Sequence, residues 1–116
     1  MNAVMLIGNL ATDVTVKDVS DGKRVADFLL AVDRRIRDGG ADFVRVVVWD
    51  RQGELCGQYL TKGQRVGIEG YLRTRTWEEE GKRRRDFDVV ARSVEFLTPP
   101  RAGDAEVVPF EAAAVA

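Results

Sequence analysis

The sequence predicts an all-β fold: a five-stranded barrel with one short helix between strands three and four, plus a flexible C-terminal tail. Three observations predict it. Apolar residues alternate with period two through most of residues 1–98, the spacing of strands with one buried face. A single stretch, residues 53–62, switches to helical spacing. All three prolines, Pro99, Pro100 and Pro109, lie at or beyond position 99, so a Pro-free domain over residues 1–98 is expected to end in a stiff break.

Residues 2–10 read as the first strand, and residues 14–19 as its continuation after an irregularity around Ala11-Thr12-Asp13. Ser20-Asp21-Gly22-Lys23 is a turn. Residues 24–33 form the second strand, with Ala26, Phe28, Leu30 and Val32 on one face. Residues 34–42 carry five charges and Gly39-Gly40, the makeup of a mobile loop. Residues 43–49 form the third strand. In residues 53–62 the apolar positions are Leu55, Cys56, Tyr59 and Leu60, one face of a helix, and Gly63 stands where a C-cap glycine belongs. Residues 64–77 are a long fourth strand, with Val66, Ile68, Gly70 and Leu72 facing the barrel interior. Residues 78–85 are a charged hairpin loop, and residues 86–97 the fifth strand. Three strands, a helix and two strands is the layout of an OB-fold.

The chain has 116 residues, one domain's worth. It is 45% hydrophobic and 32% charged, the balance of a globular protein. No apolar run approaches the roughly 20 residues that span a bilayer, so no membrane partner is expected. Residues 1–10 do not read as a secretory signal. Cys56 is the single cysteine, which excludes an internal disulfide and fits a reducing cytoplasm. There is no histidine, so His-dependent zinc sites and catalytic dyads or triads are excluded. The net charge of −1 conceals a bias: 14 of the 18 basic residues are Arg, the residue suited to phosphate and to stacking on rings.

Two strands place that bias on one face. In the third strand Phe43, Arg45, Val47 and Trp49 point away from Val44, Val46 and Val48. In the fourth strand Tyr71, Arg73, Arg75 and Trp77 share the face opposite the core. Interleaved aromatic and arginine side chains make a surface for single-stranded nucleic acid, rings stacking on bases and Arg tracking phosphates. Lys82-Arg83-Arg84-Arg85 follows Glu78-Glu79-Glu80 across Gly81. Arg83 and Arg84 are candidates to catch the backbone, unless the two runs neutralise each other. Consecutive Glu residues do not converge on one ion, so no metal and no cofactor is expected. Cys56, on the apolar helix face, reads as packing. The first strand is apolar on both faces, Val4 and Leu6 against Met5 and Ile7, and Leu29 stands opposite Leu30 in the second. The outer face needs a cover, which another subunit would supply unless the tail covers it.

The chain resembles the bacterial single-stranded DNA-binding proteins in Val4-Met5-Leu6-Ile7-Gly8-Asn9-Leu10, Arg45-Val46-Val47-Val48-Trp49, Tyr59-Leu60-Thr61-Lys62-Gly63 and, most specifically, Ile68-Glu69-Gly70-Tyr71-Leu72-Arg73-Thr74-Arg75-Thr76-Trp77. In order and spacing the likeness covers residues 2–98. It implies an OB-fold that assembles as a homotetramer. It also implies sequence-independent binding and protection of single-stranded DNA in replication, recombination and repair, in the cytoplasm at the nucleoid. By position the family's stacking aromatics fall on Phe43, Trp49 and Trp77. A fourth falls on Ile36, which cannot stack, among Arg34, Arg35 and Arg37. The family's acidic Pro-Phe tip, which docks replication and repair partners, is resembled by residues 104–110 with Val108, Pro109 and Phe110. Two departures are the few-residue linker and the six residues after Phe110; residues 99–116 are read as a short acidic tail. A second class is an OB-fold interaction module resembling primosomal replication proteins. Ile36 and the short linker favour it, Trp49 and Trp77 oppose it. No constellation supports an enzyme.

Overall fold

The computed structural model of the chain describes residues 1–34 and 39–98. The elements are β1 (Val4–Leu10), β2 (Thr15–Asp18), β3 (Arg24–Asp33), β4 (Ala41–Trp49), α1 (Asp50–Tyr59), β5 (Arg65–Glu79) and β6 (Lys82–Phe96). The strands pair in the order β1-β5-β6-β4-β3-β2, and β1 also pairs with β3. The second pairing closes a ring of β1, β5, β6, β4 and β3, the predicted five-stranded OB barrel with its helix between the third and fourth barrel strands. All ladders are antiparallel except that of β4 with β6.

The interior is what period-two alternation dictates. Ala26, Phe28 and Leu30 of β3, Val46 and Val48 of β4, Val66 and Ile68 of β5, and Val89 and Val94 of β6 form one buried cluster, with Val4, Leu6, Val32 and Val44 packed against it. Helix α1 adds Cys56 and, after its last turn, Leu60. Gln52 ties the helix to β6, donating to the Arg92 carbonyl at 2.8 Å and accepting from the Val94 N–H at 3.2 Å. The barrel closes where Gly8 of β1 crosses β3. A Cβ there would overlap the Ala31 carbonyl oxygen, so the crossing requires glycine.

Local expectations change at several points. Residues 14–19 do not continue β1. Thr15–Asp18 is a separate strand paired with β3, from Thr15 opposite Asp27 to Asp18 opposite Arg24. Asp21 and Gly22 take left-handed backbone, φ 67° and 71°, and reverse the chain between them. The helix starts at Asp50 rather than Gly53 and ends at Tyr59. Gly63 does have positive φ, 96°, but it serves the turn into β5, where its N–H donates to the Leu10 carbonyl at 2.8 Å.

The expected charged loop over residues 78–85 is mostly ladder. Glu78 lies opposite Arg83 and Glu79 opposite Lys82, since opposite charges across a pair favour strand continuation. Only Glu80 and Gly81 turn, both at positive φ, as a two-residue hairpin turn demands. The hairpin thereby outruns the barrel. Leu72, predicted inside, is 43% exposed because β5 has already left the core at that point. Among the described residues no helix is long and apolar enough to cross a membrane.

Candidate nucleic-acid interface

Strands β3, β4, β6 and β5 are neighbours in that order and share one outward face. Register assigns its rows. Leu29 lies opposite Arg45, and Asp88 lies opposite Arg73. The parallel ladder that sets Val47 beside Val90 brings Arg45 level with Asp88. One row toward the helix run Asp27, Val47, Val90 and Tyr71. In the other direction come Ala31 with Phe43, Asp86 with Arg75, then Arg84 with Trp77.

Register places Phe43, Arg45, Trp49, Tyr71, Arg73, Arg75 and Trp77 on this face or its neighbouring row, whereas Val47, assigned to the same outward set, is only 2% exposed. The structure adds what lies between them. Phe43 is open to solvent and Trp77 about half so, while Trp49 and Tyr71 are half-buried. Trp49 stands level with Arg92, next to the paired Val48 and Ala91. Trp77 stands opposite Arg84. Those two levels are eight residues apart along β6, about 26 Å at the rise of a strand. Strand β6 also separates β4 from β5. The two tryptophans therefore sit at opposite ends of the face and are not one platform.

Each end carries an arginine stacked on a ring. The Arg75 guanidinium lies 4.6 Å from the Trp77 ring centre, and that of Arg92 lies 4.8 Å from the Tyr71 ring centre. Such pairs flatten the arginine against the sheet and leave its edge for an anion.

Between the ends is a charge cluster centred on Asp88, whose carboxylate is fully buried. It accepts from Arg45 Nη1 at 2.7 Å and from Arg73 Nε at 3.3 Å, and Arg75 Nε is 3.7 Å away. Arg45 Nη2 donates to Asp27 at 2.6 Å, and Arg75 Nη2 is 3.6 Å from Asp86. Burying an arginine guanidinium is costly without a partner. The sequence reading met that cost by turning the arginines to solvent. The structure meets it with three aspartates, which that reading did not place, nor did it place Arg92. The signal was present: Asp86 and Asp88 alternate in phase with Val90, and Asp27 with Leu29.

Arg34, Arg83 and Arg84 lie nearer the rim. Arg34 Nε donates to Asp42 at 3.0 Å at the base of the β3–β4 connection. Arg83 and Arg84 are exposed on the hairpin, Arg84 lying 3.8 Å from Glu79. Arg35, Ile36 and Arg37, and the tail with Val108, Pro109 and Phe110, lie outside the described residues. Among the described residues no cluster of His, Cys, Asp or Glu is placed to hold a metal ion. Cys56 is buried against the core, and burial pushes its thiol from 9.0 up to about 12, which makes it inert packing.

Two comparisons relate the chain to known proteins. The chain is 38% identical over 102 residues to a single-stranded DNA-binding protein of Treponema pallidum, covering 84% of this chain and 58% of that protein. It is 45% identical over 102 residues to one from Clostridium tetani, covering 84% and 70%, and 40% identical over 108 residues to one from Bacillus cereus, covering 89% and 64%. This chain thus spans less than two thirds of the Treponema pallidum and Bacillus cereus relatives. The model of the single-strand binding protein family matches residues 1–97, and the chain belongs to that family.

Proposed function

We propose that the chain binds single-stranded DNA without sequence preference, catalysing nothing and using no cofactor, and protects it during replication, recombination and repair in the cytoplasm. The observation that carries this is the outward face of β3, β4, β6 and β5, where Phe43, Trp49, Tyr71 and Trp77 alternate with arginines. Bases stack on the rings and phosphates follow Arg45, Arg73, Arg75 and Arg92, with Arg34, Arg35, Arg37, Arg83 and Arg84 extending the path. Residues 1–98 form the binding domain. Thr98 still belongs to it, since its hydroxyl accepts from the Arg65 N–H at 2.7 Å. Residues 99–116 are an acidic tail, dispensable for folding and for strand binding, through which Phe110 engages replication and repair proteins.

The working form is a homo-oligomer, a tetramer on the family's pattern. Met5 is 80% and Ile7 54% exposed on the outer face of β1, an apolar stripe that a second copy would cover.

The test is fluorescence anisotropy of labelled oligo(dT), a mixed-sequence strand and a duplex of equal length, from low to physiological salt. Both single strands are expected to bind alike and the duplex far more weakly. The logarithm of affinity should fall against the logarithm of salt concentration by about 0.7 per phosphate neutralised. Equal affinity for duplex, or no salt dependence, overturns the reading.

A further inference from the structure

We propose that Asp27 is a built-in competitor for phosphate at Arg45, so that single-stranded DNA binds by exchanging this carboxylate for a backbone phosphate. The inference rests on the proposed single-strand binding.

Arg45 sits at the centre of the outward face and divides its guanidinium between two carboxylates of different character. Nη1 is held by Asp88 at 2.7 Å, and Asp88 is fully buried and shared with Arg73 and Arg75. Nη2 is held by Asp27 at 2.6 Å, where the Asp27 side chain is 24% and the Arg45 side chain 33% exposed. A strand passing over the sheet can reach the second contact and not the first. Asp88 therefore fixes the arginine, while Asp27 occupies the half of its fork that faces solvent. A carboxylate and a phosphate present the same pair of oxygens to such a fork.

The charge count makes the competition consequential. Arg45, Arg73 and Arg75 face Asp27, Asp86 and Asp88, three positive against three negative, so the centre of the face is neutral before any strand arrives. A shallow groove beside the pair is lined by Thr12, Asp13, Thr15, Asp27, Leu29 and Arg45. Asp13 is engaged there with the Lys62 N–H at 2.8 Å. Asp27 is thus the acidic group on this groove that ties down an arginine, and removing its charge frees a cation without disturbing the buried anchor.

The experiment is oligo(dT) anisotropy across a salt series for the full chain and for Asp27→Asn, Arg45→Gln and the double variant. Asp27→Asn is expected to tighten binding about threefold to fivefold at low salt, the upper end of the scale of a partly exposed charge pair. Its salt slope should steepen by up to about 0.7, because the counterion released from the phosphate at Arg45 is no longer offset by one taken up at the freed Asp27 carboxylate. In the Arg45→Gln background the same change should alter affinity less than about twofold, because the competition acts through Arg45. Unchanged or weaker binding by Asp27→Asn overturns the proposal, as does equal tightening in the Arg45→Gln background, which would show a field effect alone. A wild-type chain that binds no single strand overturns the functional reading and this proposal together. Nuclear magnetic resonance of the unmutated chain gives a check that needs no variant to fold: saturating oligo(dT) should shift the Asp27 carboxyl signal and leave that of Asp88 nearly in place. An unmoved Asp27 signal overturns the exchange.

Discussion

Replacing Asp88 by Ala removes the one carboxylate that three arginines share. Removing one partner of a buried ion pair costs about 3–5 kcal/mol when the other is stranded in the interior. Here the stranded partners are not interior: the side chains of Arg45, Arg73 and Arg75 are 33%, 42% and 37% exposed. Each can turn to water, and Arg45 retains Asp27. Part of the cost is thereby recovered, and about 2 kcal/mol is expected. For a domain near this size that lowers Tm by about 10 °C. Asp88→Asn keeps the shape and one acceptor oxygen and should cost about half as much. The assay is urea unfolding followed by far-UV circular dichroism at one fixed protein concentration, since assembly contributes to apparent stability. The midpoint should fall with an unchanged slope. A loss below about 0.5 kcal/mol for Asp88→Ala would refute the view that Asp88 organises this face.

Gly70→Ala should abolish or gravely weaken folding. A Cβ there would overlap the Val90 carbonyl oxygen and sit 2.9 Å from the Ala91 Cα, both backbone; a variant melting like wild type contradicts the close β5–β6 approach. Cys56 should resist alkylation at pH 8 until the chain is unfolded. Its thiol pKa is raised by burial, so its stabilising share is complete below the unfolded value and is lost as pH climbs through the window from 9 to 12, by up to about 1.4 kcal/mol per pH unit. Wild type should therefore lose more stability than Cys56→Ala between pH 8 and 10, and parallel losses would be contrary. Met5→Glu should lower the sedimentation mass by opposing the apolar stripe of β1; an unchanged mass places the subunit contact elsewhere.

Much of this was legible in the sequence because alternation and sidedness are local properties. Val44, Val46 and Val48 against Phe43, Arg45 and Trp49 could be sorted by counting in twos, and the structure does set those three valines against the core, although Val47, counted with the outward set, is buried as well. Two kinds of feature were not legible. Turn geometry moved boundaries: the two-residue reversal at Glu80-Gly81 drew flanking charges into the ladder, where composition alone read a loop. Strand order was the other. Nothing local in Asp88 says that β6 lies between β4 and β5, and only that placement brings it within reach of arginines from both. The separation of Trp49 from Trp77 follows from the same fact, since both were assigned to one face with no means of ordering its strands.

The most direct measurement is tryptophan fluorescence during an oligo(dT) titration of Trp49→Phe and Trp77→Phe, each variant reporting on the one remaining tryptophan. If bases stack along the whole outward face, both rings are quenched, each saturating at the same strand concentration. Full quenching at one ring and none at the other confines the strand to one end of the face, and no quenching at either, with the chain folded, contradicts a stacking interface on β3, β4, β6 and β5.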